Sequence, residues 1–284
     1  MGRGGKRAKK RKYLITECMG FILSLIVIVP FLLIILNSFK DLGNANRLEM
    51  NFDGISLSQI IENYTTVFVE ADLLSSMLNS LIVTVFSVTF IVIFSSLAAF
   101  VIVRRKTRAM NITNNLIIAG LTLPAAMVPT YYMLSKMHMS TGPMAMLGAI
   151  MVYTAVNFAF AFFLYTGFIK SLPEELDEAA IVDGVTPLGL FFRIILPLLK
   201  PATVTVIISE ALTVWNDFNI SLYLLNSPER STAVLTTYLF MGQRTSQWNL
   251  LFADVVMVSL PIIILYFCLQ KYIVAGLTSG AVKG

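Results

Sequence analysis

Six continuous apolar runs, near residues 14–36, 78–103, 112–135, 144–169, 199–225 and 250–274, set the rhythm of this chain. Each is long enough to cross a hydrocarbon core of about 30 Å as an α-helix. The runs do not alternate residue by residue, which excludes a membrane β-barrel. The polar stretches between them carry local order of their own. Within the long stretch 37–77, Leu57 to Phe68 predicts a short surface helix. Residues 171–197 read as a polar helix–turn–helix: Ser171 and Glu174 have capping-box spacing, and Pro173 suits a first turn. Gly184 falls where a helix can end on a left-handed residue. Thr186 is placed to cap a second helix running through Arg193, and Pro197 marks the boundary with the next run.

Composition makes the runs membrane spans. The chain is 57% hydrophobic and 13% charged, with a mean hydropathy of +0.79, against about 25% charged residues in soluble domains. The expected fold class is an all-α integral membrane protein with six transmembrane helices. Seven basic residues (Arg3, Lys6, Arg7, Lys9, Lys10, Arg11, Lys12) precede the first run, and Arg104, Arg105, Lys106 and Arg108 separate the second from the third. The positive-inside rule places both groups, and with six crossings both termini, in the cytoplasm. Residues 40–75, with six acids against Lys40 and Arg47, suit the outer face. The first run exceeds a signal-peptide core and lacks an A-x-A site, so it reads as a retained span. Residues 171–197 then fall inside, yet Glu174, Glu175, Asp177, Glu178 and Asp183 break the positive bias. Their acidity serves something other than topology. The net charge of +5 sits mostly in the N-terminal tail, which suits anionic lipid headgroups and needs no nucleic acid.

Little chemistry is available to the chain itself. Cys18 and Cys268 have no Cys or His at ligand spacing, and His138 stands alone in an outer loop, so no metal site is expected. The early glycines Gly2, Gly4 and Gly5 lack the G-K-[ST] ending of a Walker loop, and G-x-S-x-G and H-E-x-x-H are missing. The expectation is a non-enzyme with no catalytic residues and no cofactor of its own. Energy must come from a partner or an ion gradient.

Glu178-Ala179-Ala180, Gly184, Ile194, Leu196 and Pro197 match the pattern E-A-A-x3-G-x9-I-x-L-P at every defined position. This resembles the signature loop of permease subunits in binding-protein-dependent ABC importers of the type I fold. In that family the loop is the coupling helix, seated in a cleft on the ATPase. The tail Gly276 to Gly284, with Asn37-Ser38-Phe39-Lys40, Asn79-Ser80 and Trp215-Asn216-Asp217-Phe218, resembles the second permease subunit of the maltose-type carbohydrate permeases over residues 14–284. The chain departs from it at Asn219-Ile220-Ser221, where many relatives carry an apolar or aromatic residue and proline.

The resemblance implies a cytoplasmic tail 1–13, a first helix 14–36, an extracytoplasmic segment 37–77, a five-helix core 78–274 containing the coupling loop 171–197, and a cytoplasmic tail 275–284. It implies ATPase coupling through Glu174, Glu175, Asp177, Glu178, Ala179, Ala180 and Gly184, and a second ATPase contact through Ser279, Gly280 and Lys283. The implied partners are a homologous permease, two cytoplasmic ATPase subunits that use the ATP and Mg, an extracytoplasmic sugar-binding protein docked on 40–75 and 226–249, and membrane lipid. The implied location is a bacterial or archaeal plasma membrane.

Helical spacing places Leu172, Leu176, Ala179, Ala180 and Asp183 on one side of the first loop helix. Phe191, Phe192 and Ile195 are expected to anchor the second, leaving Glu174, Glu175 and Asp177 toward basic residues of the ATPase. For the translocation path or subunit interface the candidates are Glu210, Thr213 and Asp217, at spacings of three and four, and Asn157, one turn from Tyr153. A charge such as Glu210 in mid-span costs about 2.5–3.5 kcal/mol on insertion scales. An interhelical hydrogen bond or a protonated Glu210 locked in the bundle is the other reading. The resemblance assigns sugar contact to the other permease subunit. The aromatics of the fourth run (Phe158, Phe160, Phe162, Phe163, Tyr165) read as ordinary lipid-facing residues, and Pro124, Pro129 and Pro261 as helix bends. Open alternatives are an ABC permease for a polyol phosphate, peptide or amino acid, and a gradient-driven carrier using Glu210 with Asp217 or Asp254.

Overall fold

In chain order the helices are α1 (Arg3–Ser38), α2 (Leu42–Ala45), α3 (Leu57–Glu70), α4 (Leu73–Arg104), α5 (Arg108–Ala119), α6 (Met127–Lys136) and α7 (Met144–Lys170). They continue as α8 (Glu175–Val182), α9 (Pro187–Leu190), α10 (Leu196–Leu198), α11 (Lys200–Trp215), α12 (Asn219–Leu224), α13 (Ala233–Thr236) and α14 (Trp248–Ala281). This computed structural model describes residues 3–242 and 246–281, and the extended structure among them is one isolated bridge, Lys40 to Ile55.

Among the described residues, four helical stretches are long and apolar enough to cross a membrane: Met19–Ser38, Leu73–Arg104, Met144–Lys170 and Trp248–Cys268. The count reaches six when two bent pairs are each taken as one span. The third span bends at Pro124 as expected, with Pro129 inside α6, while the fifth span, expected to be continuous, is broken. Run 112–135 is α5 with a 3₁₀ turn, followed by α6 at a bend of 113°. Pro124 has no N–H for the helical ladder and disfavours helix at the residue before it, and Leu123 is extended (φ −88°, ψ 123°). Run 199–225 bends by 77° at Leu199, ahead of Lys200-Pro201. It stops again at Trp215, where Asn216 to Phe218 lead into α12.

The chain forms two compact units, Met1–Leu73 with Thr236–Ser259, and Leu74–Leu235 with Leu260–Gly284. In the first, α1 exposes its apolar side chains from Met19 to Leu32, a surface suited to lipid or partner helices. Its end is clasped. Lys40 is fully buried, and its Nζ donates to Glu49 O (2.7 Å) and Asn51 Oδ1 (2.8 Å). Asn63 Nδ2 donates to Ser38 O and Lys40 O, both at 2.9 Å, and Asn249 Nδ2 donates to Asn63 Oδ1 at 2.8 Å. Asp41 caps α2 through Asn44, whose side-chain amide and backbone N–H hold the Asp41 carboxyl below the usual range. Gly54 (φ +74°) lies so close to that carboxylate that a Cβ has no room. Helix α3 is the expected surface helix, N-capped by Ser56 and carried two residues past Phe68. Farther on, the Thr236 hydroxyl lies 3.0 Å from both oxygens of the buried Asp254.

Because Lys40 is fully buried and its Nζ ties residues 49 and 51 to the end of α1, Lys40→Ala is expected to destabilise this clasp by about 1–3 kcal/mol. Thermal unfolding of the detergent-solubilised protein measures it, with Lys40→Met separating the lost bonds from the lost packing.

The second unit has a core built from α4, α7, α11 and the chain between α7 and α11. Ile91, Phe162, Ile169, Phe191, Ile195 and Val206 are all buried in it. Tyr165 donates to Thr203 Oγ1 (3.1 Å), tying α7 to α11. Fully buried Ala149, Ala161 and Ala202 let backbones approach closely, the usual packing device between membrane helices. Phe162 and Tyr165 are thus core residues, while Phe160 and Phe163 are exposed as expected.

Candidate functional site

The helical hairpin between α7 and α11 is held by local chemistry at its turn. Gly184 has φ +73°; its N–H donates to Ile181 O and the Val185 N–H to Ala180 O, both at 3.0 Å. This 6→1 and 5→2 pair is a Schellman ending, which calls for a left-handed residue at that position. Thr186 then caps α9 by accepting from Gly189 N (3.2 Å), with Pro187 at the first helical position. Two expected details differ. The Ser171 hydroxyl turns back to Phe168 O (2.7 Å), so no capping box forms, and α8 starts from Glu174 with Pro173 outside its first turn. The second helix widens into a π turn over Phe191–Ile195, runs through Pro197 and bends two residues later.

The hairpin's faces also differ from the expected grouping. Ala180 is buried against the core with Phe191 and Ile195, and Leu172 packs beside them. Ala179, Leu176 and Asp183 point outward instead, since the chain's own core takes the Ala180 side. Of the three expected anchors Phe191 and Ile195 face the core, while Phe192 is half exposed. Ile181 (67% exposed), Val182 (86%) and Leu188 (65%) are exposed apolar side chains on a polar loop.

The acids divide into two groups. Arg104, at the end of α4, sets its Nε 2.6 Å from Asp177 Oδ2, a charge contact without aligned hydrogen-bond geometry. Its terminal nitrogens reach the Leu172 and Pro173 carbonyls at 3.4–3.5 Å. Lys106 Nζ lies 2.8 Å from both oxygens of Glu174. Glu174 and Asp177, expected to face a partner, are therefore engaged by the chain's own basic segment. The Lys106 ammonium, hydrogen-bonded to Glu174, holds that carboxyl below its ordinary range, with Arg104 adding a smaller effect. A depressed carboxyl pKa means the contact is at full strength above the ordinary range and is lost only as pH falls through the lowered value. Among the described residues, Glu175, Glu178 and Asp183 have no ion pair and are exposed. The Arg104–Asp177 contact also puts the two loops on one membrane face, as the charge pattern required.

Four of the five predicted path residues do come together. Tyr153, Asn157, Thr213 and Asp217 line a cavity of about 450 Å³. The Tyr153 hydroxyl donates to Asp217 Oδ1 (2.8 Å) and lies 2.9 Å from Ser221 Oγ. Asp217 Oδ1 also accepts from Ile220 N (2.8 Å), capping α12. Glu210 is not part of this wall: it is buried at 2% exposure within α11, and Asp217 lies beyond that helix's end at Trp215. Asn219 and Tyr223 line the same cavity and were not singled out as site residues. Their signal was the polar cluster Asn216-Asp217-Asn219 interrupting an apolar run, which also holds the departure noted at Asn219. At the C-terminus, Ser279 and Gly280 continue the backbone of α14, whereas Lys283 lies outside the described residues, as do the Ser279 and Cys18 side chains.

Apolar spans, two broken helices and a structured polar hairpin at one face define a multi-pass membrane permease fold. The chain belongs to the binding-protein-dependent transport system inner membrane components, whose family model matches residues 91–279. It is 34% identical to the "probable starch degradation products transport system permease protein AmyC" of Thermoanaerobacterium thermosulfurigenes, over 98% of this chain and 99% of that protein. It is 33% identical to the "melibiose/raffinose/stachyose import permease protein MelC" of Bacillus subtilis, over 98% and 100%. A bacterial ABC importer of the acidic polysaccharide alginate shares the fold, with a TM-score of 0.79 and 21% identity over 94% of this chain and 98% of that one. The protein is thus a permease of the type I ABC importer fold, embedded in the cell membrane.

Proposed function

We propose that this chain is a membrane-spanning subunit of an ATP-driven carbohydrate importer, working by alternating access with energy from separate ATPase subunits. The observation that carries the reading is the hairpin. It is fixed to the core by Ala180, Phe191 and Ile195, yet it offers Ile181, Val182 and Leu188 with Glu175, Glu178 and Asp183 to the water. A rigid, apolar and acidic knob of this kind suits seating in a cleft on another protein. The full-length likeness to two sugar permeases supports a carbohydrate as substrate.

In this mechanism a binding protein delivers sugar at the outer face, and two ATPases close on binding ATP. Their closure displaces the hairpin. Arg104 passes the displacement to α4, and the continuous chain passes it to α7 and α11, tilting the spans between inward-open and outward-open states. The homologous second permease completes the path. The family and the full-length likeness to two import permeases favour this reading over a gradient-driven carrier using Glu210.

The test is purification of the chain with its co-expressed neighbours, followed by ATPase measurements with the cognate binding protein. Neutral mono- and oligosaccharides are expected to stimulate hydrolysis several-fold, only when the binding protein is present. Stimulation by peptides, amino acids or polyol phosphates, with none by any sugar, would overturn the carbohydrate reading.

A further inference from the structure

The cavity beside Asp217 has a wall built for hydroxyl groups. Asp217 Oδ1 is fully committed, accepting from the Tyr153 hydroxyl and from the N–H groups of Ile220 (2.8 Å) and Ser221 (3.4 Å). Among the described residues no bond to Asp217 uses Oδ2, which leaves that oxygen to accept from a ligand. Asn157 spends one amide hydrogen on Tyr153 O (3.0 Å), keeping its other hydrogen and its carbonyl. Asn219 is exposed at the same wall. The half-exposed Tyr223 ring adds an apolar face, with Tyr131 6.4 Å away and tilted by 54°. The volume, about 450 Å³, lies in the usual range for small-molecule sites. No lysine or arginine is among the lining residues.

A neutral sugar fits this wall on each count. Its hydroxyls donate to a carboxylate and exchange hydrogen bonds with amides, while its C–H face packs on an aromatic ring. A phosphate or uronate does not fit, because its charge meets Asp217 with no cation to offset it. We propose that this subunit itself holds a neutral sugar unit during passage, in the cavity formed by Asn157, Asp217, Asn219 and Tyr223, and that Asp217 selects against acidic solutes. The proposal rests on the carbohydrate reading above and departs from it in giving sugar contact to this subunit as well as to its permease partner.

The test uses the full importer in proteoliposomes with its binding protein, ATPases and second permease. ATP-driven uptake is measured for a neutral sugar that the wild type transports and for uronate-bearing oligosaccharides of equal length. Asp217→Asn keeps a capping oxygen for α12, so it tests the free charge; Asn219→Ala changes an exposed side chain on which the fold does not depend. Expected are a KM at least fivefold higher for the neutral sugar in Asp217→Asn and about threefold higher in Asn219→Ala, with a smaller preference for neutral over acidic sugar in Asp217→Asn. Co-purification of the ATPases reports assembly. Wild-type KM values in both assembled variants would overturn the proposal while leaving the carbohydrate reading intact. A wild-type complex that transports peptides or amino acids and no sugar would overturn both.

Discussion

Gly184→Pro is expected to cut ATP-driven uptake to below about one-tenth of the wild-type rate while leaving the chain inserted in the membrane. Proline locks φ near −65°, whereas position 184 sits at +73°, and it deletes the N–H that donates to Ile181 O. Either fault alone disrupts the Schellman ending; together they cost about 3 kcal/mol or more. A Cβ at position 184 meets open space. Gly184→Ala therefore isolates the backbone strain, about 1–2 kcal/mol, and is expected to give a partial loss. Two measurements check the pair: recovery of the ATPase subunits on the tagged permease, and uptake in proteoliposomes. Normal recovery and normal uptake for Gly184→Pro would remove the hairpin from the coupling mechanism.

The second large effect is expected at Arg104. This side chain joins the end of α4 to Asp177 and to the carbonyls of Leu172 and Pro173, with both charged groups mostly buried (11% and 15% exposed). Arg104→Ala leaves Asp177 and those carbonyls short of a donor, at about 1–3 kcal/mol. The account predicts continued ATP hydrolysis with roughly fivefold less sugar moved per ATP, because the hairpin then shifts without drawing α4 with it. Asp177→Asn is expected to show the same defect more weakly, and the double variant to be no worse than Arg104→Ala, as befits two ends of one contact. Lys106→Ala, at an exposed pair, is expected to change little.

Much of this was legible in the residues, and the failures share a cause. The Gly184 turn and the Thr186 cap depend on neighbours within a few positions and appear where the pattern placed them, while four of the six apolar runs are single helices and two are broken. The E-A-A loop likewise led to the right family. Proline was less informative: Pro124 marks a 113° bend, while Pro261 lies inside continuous helix α14. Only the surrounding packing decides between those outcomes. Ser171 offered a capping box on spacing alone, but its hydroxyl went to the carbonyl at Phe168.

The acids show the limit most clearly. Glu174 and Asp177 were assigned to a partner because their cations, Lys106 and Arg104, lie about seventy positions earlier in the chain. The Tyr153–Asp217 bond spans a similar distance, so the cavity wall was seen as two polar spots and not as one site. Glu210 was grouped with Thr213 and Asp217 on the assumption that one helix carried all three, and that helix ends at Trp215.

The central claim, that this permease moves sugar with energy taken from a partner ATPase through the 171–197 hairpin, is tested most directly by uptake into proteoliposomes. The complete complex, its binding protein and labelled sugar are supplied with internal or external ATP, with and without a protonophore. The account predicts uptake that requires ATP on the hairpin side, is indifferent to the protonophore, and falls to background when the ATPase subunits are omitted. Uptake that persists without the ATPases and collapses with the protonophore would contradict it.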